Sequence, residues 1–103
     1  MRIKPDIKLD YKDVLLEPKR SKLTSRRDVE MEREFSFINS GRTYTGVPIM
    51  AANMDGVGTF SMAKVLQEHK MMTVITKSTP LDKWKEAVGT GLRLQSVSVS
   101  VGT

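Results

Sequence analysis

The segment Val47-Pro-Ile-Met-Ala-Ala52 is an unbroken apolar run of strand length. Such a run is typical of a strand that is buried on both faces, as in a parallel sheet, and we predict a central strand here. A second β-branched run covers Met72 to Thr76, and a third covers Val97 to Val101, where valine alternates with serine. This alternation alone would also fit a half-exposed antiparallel strand.

Two amphipathic helices are predicted between these strands. Thr59 would cap the first, in which apolar residues recur at helical spacing. They are Met62, Val65 and Leu66, and His69 completes the i, i+3, i+4, i+7 spacing. The second begins at Thr79-Pro80-Leu81-Asp82, where a hydroxyl cap, a proline and an acid follow one another. Its apolar side consists of Leu81, Trp84 and Val88, and Gly89 stops it. The order strand, helix, strand, helix, strand predicts the α/β class with a parallel sheet and right-handed crossovers.

The first 46 residues have a different character. Residues 1–28 are polar and irregular, and their apolar Val14-Leu15-Leu16 predicts a short strand that ends before Pro18. Residues 29–38 alternate apolar and polar side chains, and Asn39-Ser40-Gly41 supplies turn residues. We therefore expect a hairpin with residues 42–46. The chain divides into a segment over 1–46 and a βαβ part over 47–103, whose open edges suggest a fragment.

Composition excludes several kinds of site. The 103 residues contain no cysteine and a single histidine, so disulfides, cysteine-ligated metals and multi-histidine metal sites are not expected. No apolar run approaches the roughly 18 residues of a membrane span, and the start lacks the apolar core of a secretory signal, so we expect a cytoplasmic protein.

Charge does not favour a nucleic-acid partner. The net charge of +5 is spread along the chain, and the six aromatic residues are scattered singly. A nucleic-acid binder would cluster both. Residues 18–27 nevertheless hold five basic residues and no acid. This segment is either a solvated loop or a site for phosphate, and a small basic binding module stays open as an alternative.

In parallel α/β folds ligands bind at the carboxyl ends of the strands. The positions of interest are therefore Asn53 to Gly58, Lys77 to Thr79, and Ser100 to Thr103. The glycines among them could simply serve turn geometry. Gly56-Val57-Gly58 lacks the third glycine and the distant acid of a dinucleotide fingerprint.

The residues themselves resemble those of the GMP reductase family over nearly the whole chain. The matching blocks are Leu9-Asp-Tyr-Lys-Asp-Val-Leu-Leu-Glu-Pro-Lys-Arg-Ser21, Ser25-Arg26, Gly46-Val-Pro-Ile-Met-Ala-Ala-Asn-Met-Asp55 and Val57-Gly-Thr-Phe60. The resemblance implies the amino-terminal portion of a (β/α)8 TIM barrel, comprising the first two βα units and the third strand, with residues 47–103 as the incomplete catalytic domain. The family reduces GMP to IMP and ammonia with NADPH, through a cysteine bonded to the purine C2. That cysteine lies outside these residues, so we expect no catalytic residue and no activity in this segment alone.

The resemblance also assigns binding residues. Ser25 and Arg26 match a pair that contacts NADPH bound largely to a neighbouring subunit, and Lys77 matches a lysine that contacts the cofactor. Met54 corresponds to a residue near the bound purine, although a methionine there could also belong to the core. The family further implies a homotetramer, and a monovalent cation such as K+ bound outside this segment.

IMP dehydrogenase is the nearest alternative, because it shares the Asp-Val-Leu-Leu and Met-Asp blocks and the barrel. Most dehydrogenases insert a regulatory domain pair after the second strand, and here only residues 78–93 separate Lys77 from strand three. The sequence also departs from the reductase pattern. Gly56 stands where threonine is usual, and Thr76-Lys77-Ser78-Thr79 stands where His-Lys-His-Tyr is usual.

Overall fold

A computed structural model of the protein describes residues 2–102. The predicted contribution of Thr103 to the third strand end lies outside the described residues. In chain order the strands and helices are β1 Arg33–Ser36, β2 Thr43–Gly46, β3 Met50–Ala51, α1 Phe60–Glu68, β4 Met72–Ile75, α2 Leu81–Gly89 and β5 Val97–Val99. Neither helix in this part of the chain is long and apolar enough to cross a membrane.

The three later strands form a parallel sheet in the order β3-β4-β5. Met50 pairs with Met72, and Thr73 pairs with Val97. This confirms the α/β class, and it shows that the valine and serine alternation of β5 belongs to a parallel strand. The prediction of residues 47–52 as the central strand is wrong. β4 is central, because its backbone pairs on both edges, whereas β3 has two residues and lies at an edge.

Helix α1 begins where the sequence predicts. The Thr59 hydroxyl accepts a hydrogen bond from the Met62 amide at 3.2 Å. The buried face, however, is not the predicted one. Ala63 and Gln67 are buried, while Met62 and Val65 are exposed. Alanine lets the helix approach β4 closely, and Ala63 joins Ile75 in the core.

The polar Gln67 is buried because its amide serves the loop that leads to β5. Its oxygen accepts from the Arg93 backbone N–H at 2.9 Å, and its nitrogen donates to the Gly91 carbonyl at 3.0 Å. Because both ends of the amide are hydrogen-bonded, the cost of removing it from water is offset. It therefore fixes how the chain enters the third strand.

Helix α2 starts one residue later than the hydroxyl-cap pattern predicts. Pro80 occupies the capping position without a side-chain bond, and Thr79 instead exchanges a 3.0 Å hydrogen bond with the Thr76 hydroxyl. Trp84 packs edge-to-face on Phe60 with ring centroids 5.1 Å apart. Ala87 is the buried residue of this helix, whereas Leu81 and Val88, two residues of the predicted apolar side, are exposed.

The strand predicted at Val14-Leu15-Leu16 does not form. Residues 2–32 contain only two 3₁₀ turns, Tyr11–Asp13 and Arg26–Asp28. Leu15 and Leu16 are almost fully exposed, because nothing in the described chain lies alongside them to pair as a second strand. Apolar content alone does not make a strand when its backbone has no partner.

The predicted hairpin is confirmed in a shorter form. β1 and β2 pair antiparallel, with Arg33 opposite Gly46 and Ser36 opposite Thr43. The Asn39-Ser40-Gly41 turn joins them, and Gly41 has a φ of 65°, the left-handed region in which glycine is not strained.

The Lys70 carbonyl oxygen joins this hairpin to the sheet. It accepts from the Tyr44 hydroxyl at 2.6 Å and from the Val47 amide at 2.8 Å. Burial raises the pKa of Tyr44 above its ordinary value, so its phenol is protonated and donates at neutral pH. The Lys70 ammonium contacts Glu32 at 2.5 Å, and that hydrogen bond raises the lysine pKa.

Gly46 leaves the space in which the Tyr44–Lys70 bond forms. A Cβ at this position would overlap the Tyr44 hydroxyl and the Lys70 carbonyl oxygen. We expect Gly46→Ala to lower the free energy of unfolding by about 1 to 3 kcal/mol, as overpacking does, in urea denaturation. Gly89→Ala is the matched control, since open space surrounds that helical glycine and alanine there should leave stability equal or higher. Equal stability of wild type and Gly46→Ala would contradict the prediction.

Thr73 on β4 is fully buried, and its hydroxyl finds no hydrogen-bond partner among residues 2–102. Valine has the same shape without the unpaired oxygen. We therefore expect Thr73→Val to raise the free energy of unfolding by about 1 kcal/mol. Thr45→Val, on the exposed part of β2, should change it by less than about 0.5 kcal/mol. A lower stability of Thr73→Val than of wild type in the same denaturation would refute this account.

Candidate functional site

A polar cleft opens at the carboxyl ends of the three parallel strands. Its volume is about 710 Å³, and each strand end contributes to its wall. The lining residues are Asn53, Met54 and Asp55 after β3, Thr76, Lys77 and Ser78 after β4, and Ser100 and Val101 after β5. Because parallel strands bring their carboxyl ends to one edge, the fold itself gathers these residues, as the sequence predicts.

The opposite end of the sheet has a smaller groove of about 220 Å³, between the hairpin and the starts of β3 and β4. Aromatic, aliphatic and methionine side chains line it, with the Tyr44 ring as the one polar-tipped member. It offers little to orient a polar ligand, so the cleft at the carboxyl ends is the better candidate site.

The loop after β3 is held against the end of β4. Within the loop the Met54 carbonyl accepts hydrogen bonds from Val57 and Gly58. The Gly58 carbonyl in turn accepts from the Thr76 amide at 3.3 Å. A Cβ on Gly58 would overlap the Val74 carbonyl oxygen, so glycine is required for this close approach. Gly56 has a φ of 75° and serves the turn.

Lys77 lies exposed in the cleft, as predicted from its position after the second strand. Among residues 2–102 it forms no ion pair. Its side chain extends toward the end of β5, since a Cβ on Gly102 would lie 3.8 Å from both its Cδ and its Nζ. The cleft therefore contains an ammonium without an ion-pair partner among residues 2–102, and the hydroxyls of Thr76, Ser78 and Ser100 line the same cleft.

Met54 lines the same cleft as Lys77, with 62% of its surface exposed. Its thioether is polarisable and could pack on a flat ring. Asp55 follows it on the wall and, within the described residues, forms no side-chain hydrogen bond or ion pair. The structure thus brings together the predicted substrate-contacting residue and one predicted cofactor residue.

Ser25 and Arg26 do not line this cleft. The Ser25 hydroxyl accepts from the Arg27 amide at 3.2 Å and, together with Asp28, forms a capping box on the 3₁₀ turn. Arg26 is exposed in that turn, as is all of the basic segment 18–27. The pairing of these two residues with a cofactor stays a prediction.

One contact of the cleft was not predicted. The Asn53 side-chain amide donates to the Ser100 hydroxyl at 2.8 Å, joining positions 47 residues apart. The signal in the sequence was a polar residue at the carboxyl end of each of two predicted strands, Asn53 directly after the first and Ser100 near the end of the third. Their pairing required the strand order and register, which the sequence did not supply.

The chain is similar to oxidoreductases of purine metabolism, and the relatives named here are GMP reductases of mammals and bacteria. GMP reductase 1 of Homo sapiens is 55% identical over 103 residues, and that of Mus musculus is 54% identical. GMP reductase of Salmonella newport is 50% identical over 105 residues. The resemblance seen in the sequence is confirmed over essentially the whole chain, which spans about 30% of the length of these relatives. No protein-family model matches the chain.

Proposed function

We propose that this chain forms part of an NADPH-dependent GMP reductase, which converts GMP to IMP and ammonia. The observation that carries the proposal is the identity of 50 to 55% to GMP reductases over the whole chain. The cleft at the strand ends supports it, because Lys77 and Met54 both line it.

We further propose that β3, β4 and β5 are the first three strands of a (β/α)8 barrel. Their parallel order and the two intervening helices support this, since each barrel strand is followed by a helix. The exposed apolar side chains at the free edges also support it, because further strands would cover them. Met50 at one edge and Val99 at the other are both more than half exposed. In this proposal residues 1–46 precede the barrel and residues 47–103 begin it.

The cleft fits one part of a dinucleotide. Lys77 supplies a compact charge with three donors for ribose or phosphate oxygens, and it has no competing acid partner in the described chain. The hydroxyls of Thr76 and Ser100 supply further donors. Asp55 would disfavour a phosphate on its own side of the cleft, so the charged part of the cofactor belongs on the β5 side. NADPH, when bound, supplies the hydride. Lys77 binds and orients the NADPH, and Met54 packs near the purine of GMP.

Ser25 and Arg26 are proposed to reach NADPH on a neighbouring subunit. Both residues are exposed and neither lines the chain's own cleft, which supports this. The proposal includes a homotetramer, a monovalent cation such as K+ bound outside these residues, and a cytoplasmic location.

IMP dehydrogenase remains the second candidate, and the direction of the redox reaction distinguishes the two enzymes. In the complete enzyme, we expect loss of NADPH absorbance to require GMP and to release ammonia. Reduction of NAD in the presence of IMP, with no GMP-dependent NADPH oxidation, would replace the reductase with the dehydrogenase.

Lys77→Ala tests the cofactor role. In the complete enzyme at saturating GMP, we expect the KM for NADPH to rise about 10-fold or more, because a charge-assisted contact of about 1.5 to 3 kcal/mol is lost. The melting temperature should stay nearly unchanged, since Lys77 is exposed. Lys85→Ala, an exposed lysine on α2, is the control and should alter neither value. An unchanged KM for NADPH in a folded Lys77→Ala enzyme would remove Lys77 from the site.

A further inference from the structure

The Asn53–Ser100 hydrogen bond connects the two outer strands of the sheet at their carboxyl ends. Asn53 follows β3, Ser100 follows β5, and β4 lies between them. The 2.8 Å bond between the Asn53 amide nitrogen and the Ser100 hydroxyl therefore spans the end of the central strand. Both residues also line the polar cleft.

The two sides of this bond differ in how firmly they are held. Ser100 is anchored, because its backbone N–H donates to the Ile75 carbonyl at 3.2 Å. The loop that begins at Asn53 is tied to β4 only at its far end, through Gly58 and Thr76. The near end follows Ala51, which pairs with Thr73 of β4, and in the described chain the Asn53 side chain adds the hydrogen bond that joins this end to Ser100 beyond β5.

The position of Met54 depends on how the loop is held at Asn53. Met54 is the next residue, most of its surface is exposed, and its carbonyl organises the turn to Val57 and Gly58. On the other side of the bond, Lys77 extends over Gly102, two residues beyond Ser100. The bond consequently connects the loop that carries Met54 to the strand end beside Lys77.

We infer that Asn53 is a positioning residue, which holds Met54 at the substrate side of the cleft through its hydrogen bond to Ser100. This inference rests on the proposed function and adds to it a residue that touches neither reacting group. It requires a hydrogen-bonding pair at these two positions, so loss of either partner should have the same effect.

The test is a double-mutant cycle in the complete enzyme, with Asn53→Ala, Ser100→Ala and the double variant. Each single variant should raise the KM for GMP about 3- to 10-fold, the range that one hydrogen bond supplies. The double variant should be no worse than the worse single one, because both changes remove the same bond. Ser100→Thr, which keeps the hydroxyl, should restore the wild-type KM. Ser98→Ala, two residues earlier on β5, is the matched control and should leave it unchanged.

Additive effects of the two single variants, or an unchanged KM for GMP in both, would overturn the inference while GMP-dependent NADPH oxidation by the wild type stands. If the wild-type enzyme lacks that activity, the proposed function fails and amide hydrogen exchange still tests the bond. Exchange at Val57 and Gly58 should then be about 3- to 10-fold faster in Asn53→Ala than in Ser98→Ala. Equal exchange rates in these two variants would overturn the inference.

Discussion

The pairing of β4 on both of its edges is the constraint on which the other features depend. Thr73 and Ile75 on this strand are almost completely buried, and buried backbone groups must find hydrogen-bond partners. β3 and β5 supply those partners in parallel. The parallel direction brings residues 53, 77 and 100, which are distant in sequence, to one edge of the sheet. The cleft is therefore a consequence of backbone pairing, and its chemistry comes from whichever side chains follow the three strands.

The sequence predicted the elements of the βαβ part more reliably than their packing. Its apolar runs and the Thr59 cap are local signals, as is the hairpin turn at residues 39–41 before it, and each marks an element that the structure contains. Which strand is central and which helix face is buried depend on partners elsewhere in the chain. Each helix contributes an alanine, Ala63 or Ala87, to the core that also contains Ile75 of β4, and a small side chain permits close approach. A search for large apolar residues therefore selected the wrong face of α1.

The same distinction applies to the cleft. The location of Lys77 and Met54 in the cleft was predicted because a site at the carboxyl ends follows from the fold class and because the family resemblance named them. The Asn53–Ser100 bond was missed because it depends on register across an intervening strand. The error at Val14-Leu15-Leu16 is the opposite one. Its apolar run predicted a strand, but the described chain offers no second strand to pair with it. The assignment of Ser25 and Arg26 rests on resemblance alone, since neither lines the cleft of this chain.

The backbone conformation of Lys70 limits which substitutions this position accepts. Its φ of 56° lies in the left-handed region, where a residue other than glycine or asparagine costs about 1 kcal/mol or more. Glycine would relieve that cost and keep the carbonyl that binds Tyr44 and Val47, but it would lose the side chain that reaches Glu32. Lysine therefore keeps the charged contact with Glu32 although its backbone is strained. Position 70 should accept few side chains, although its own is exposed to solvent.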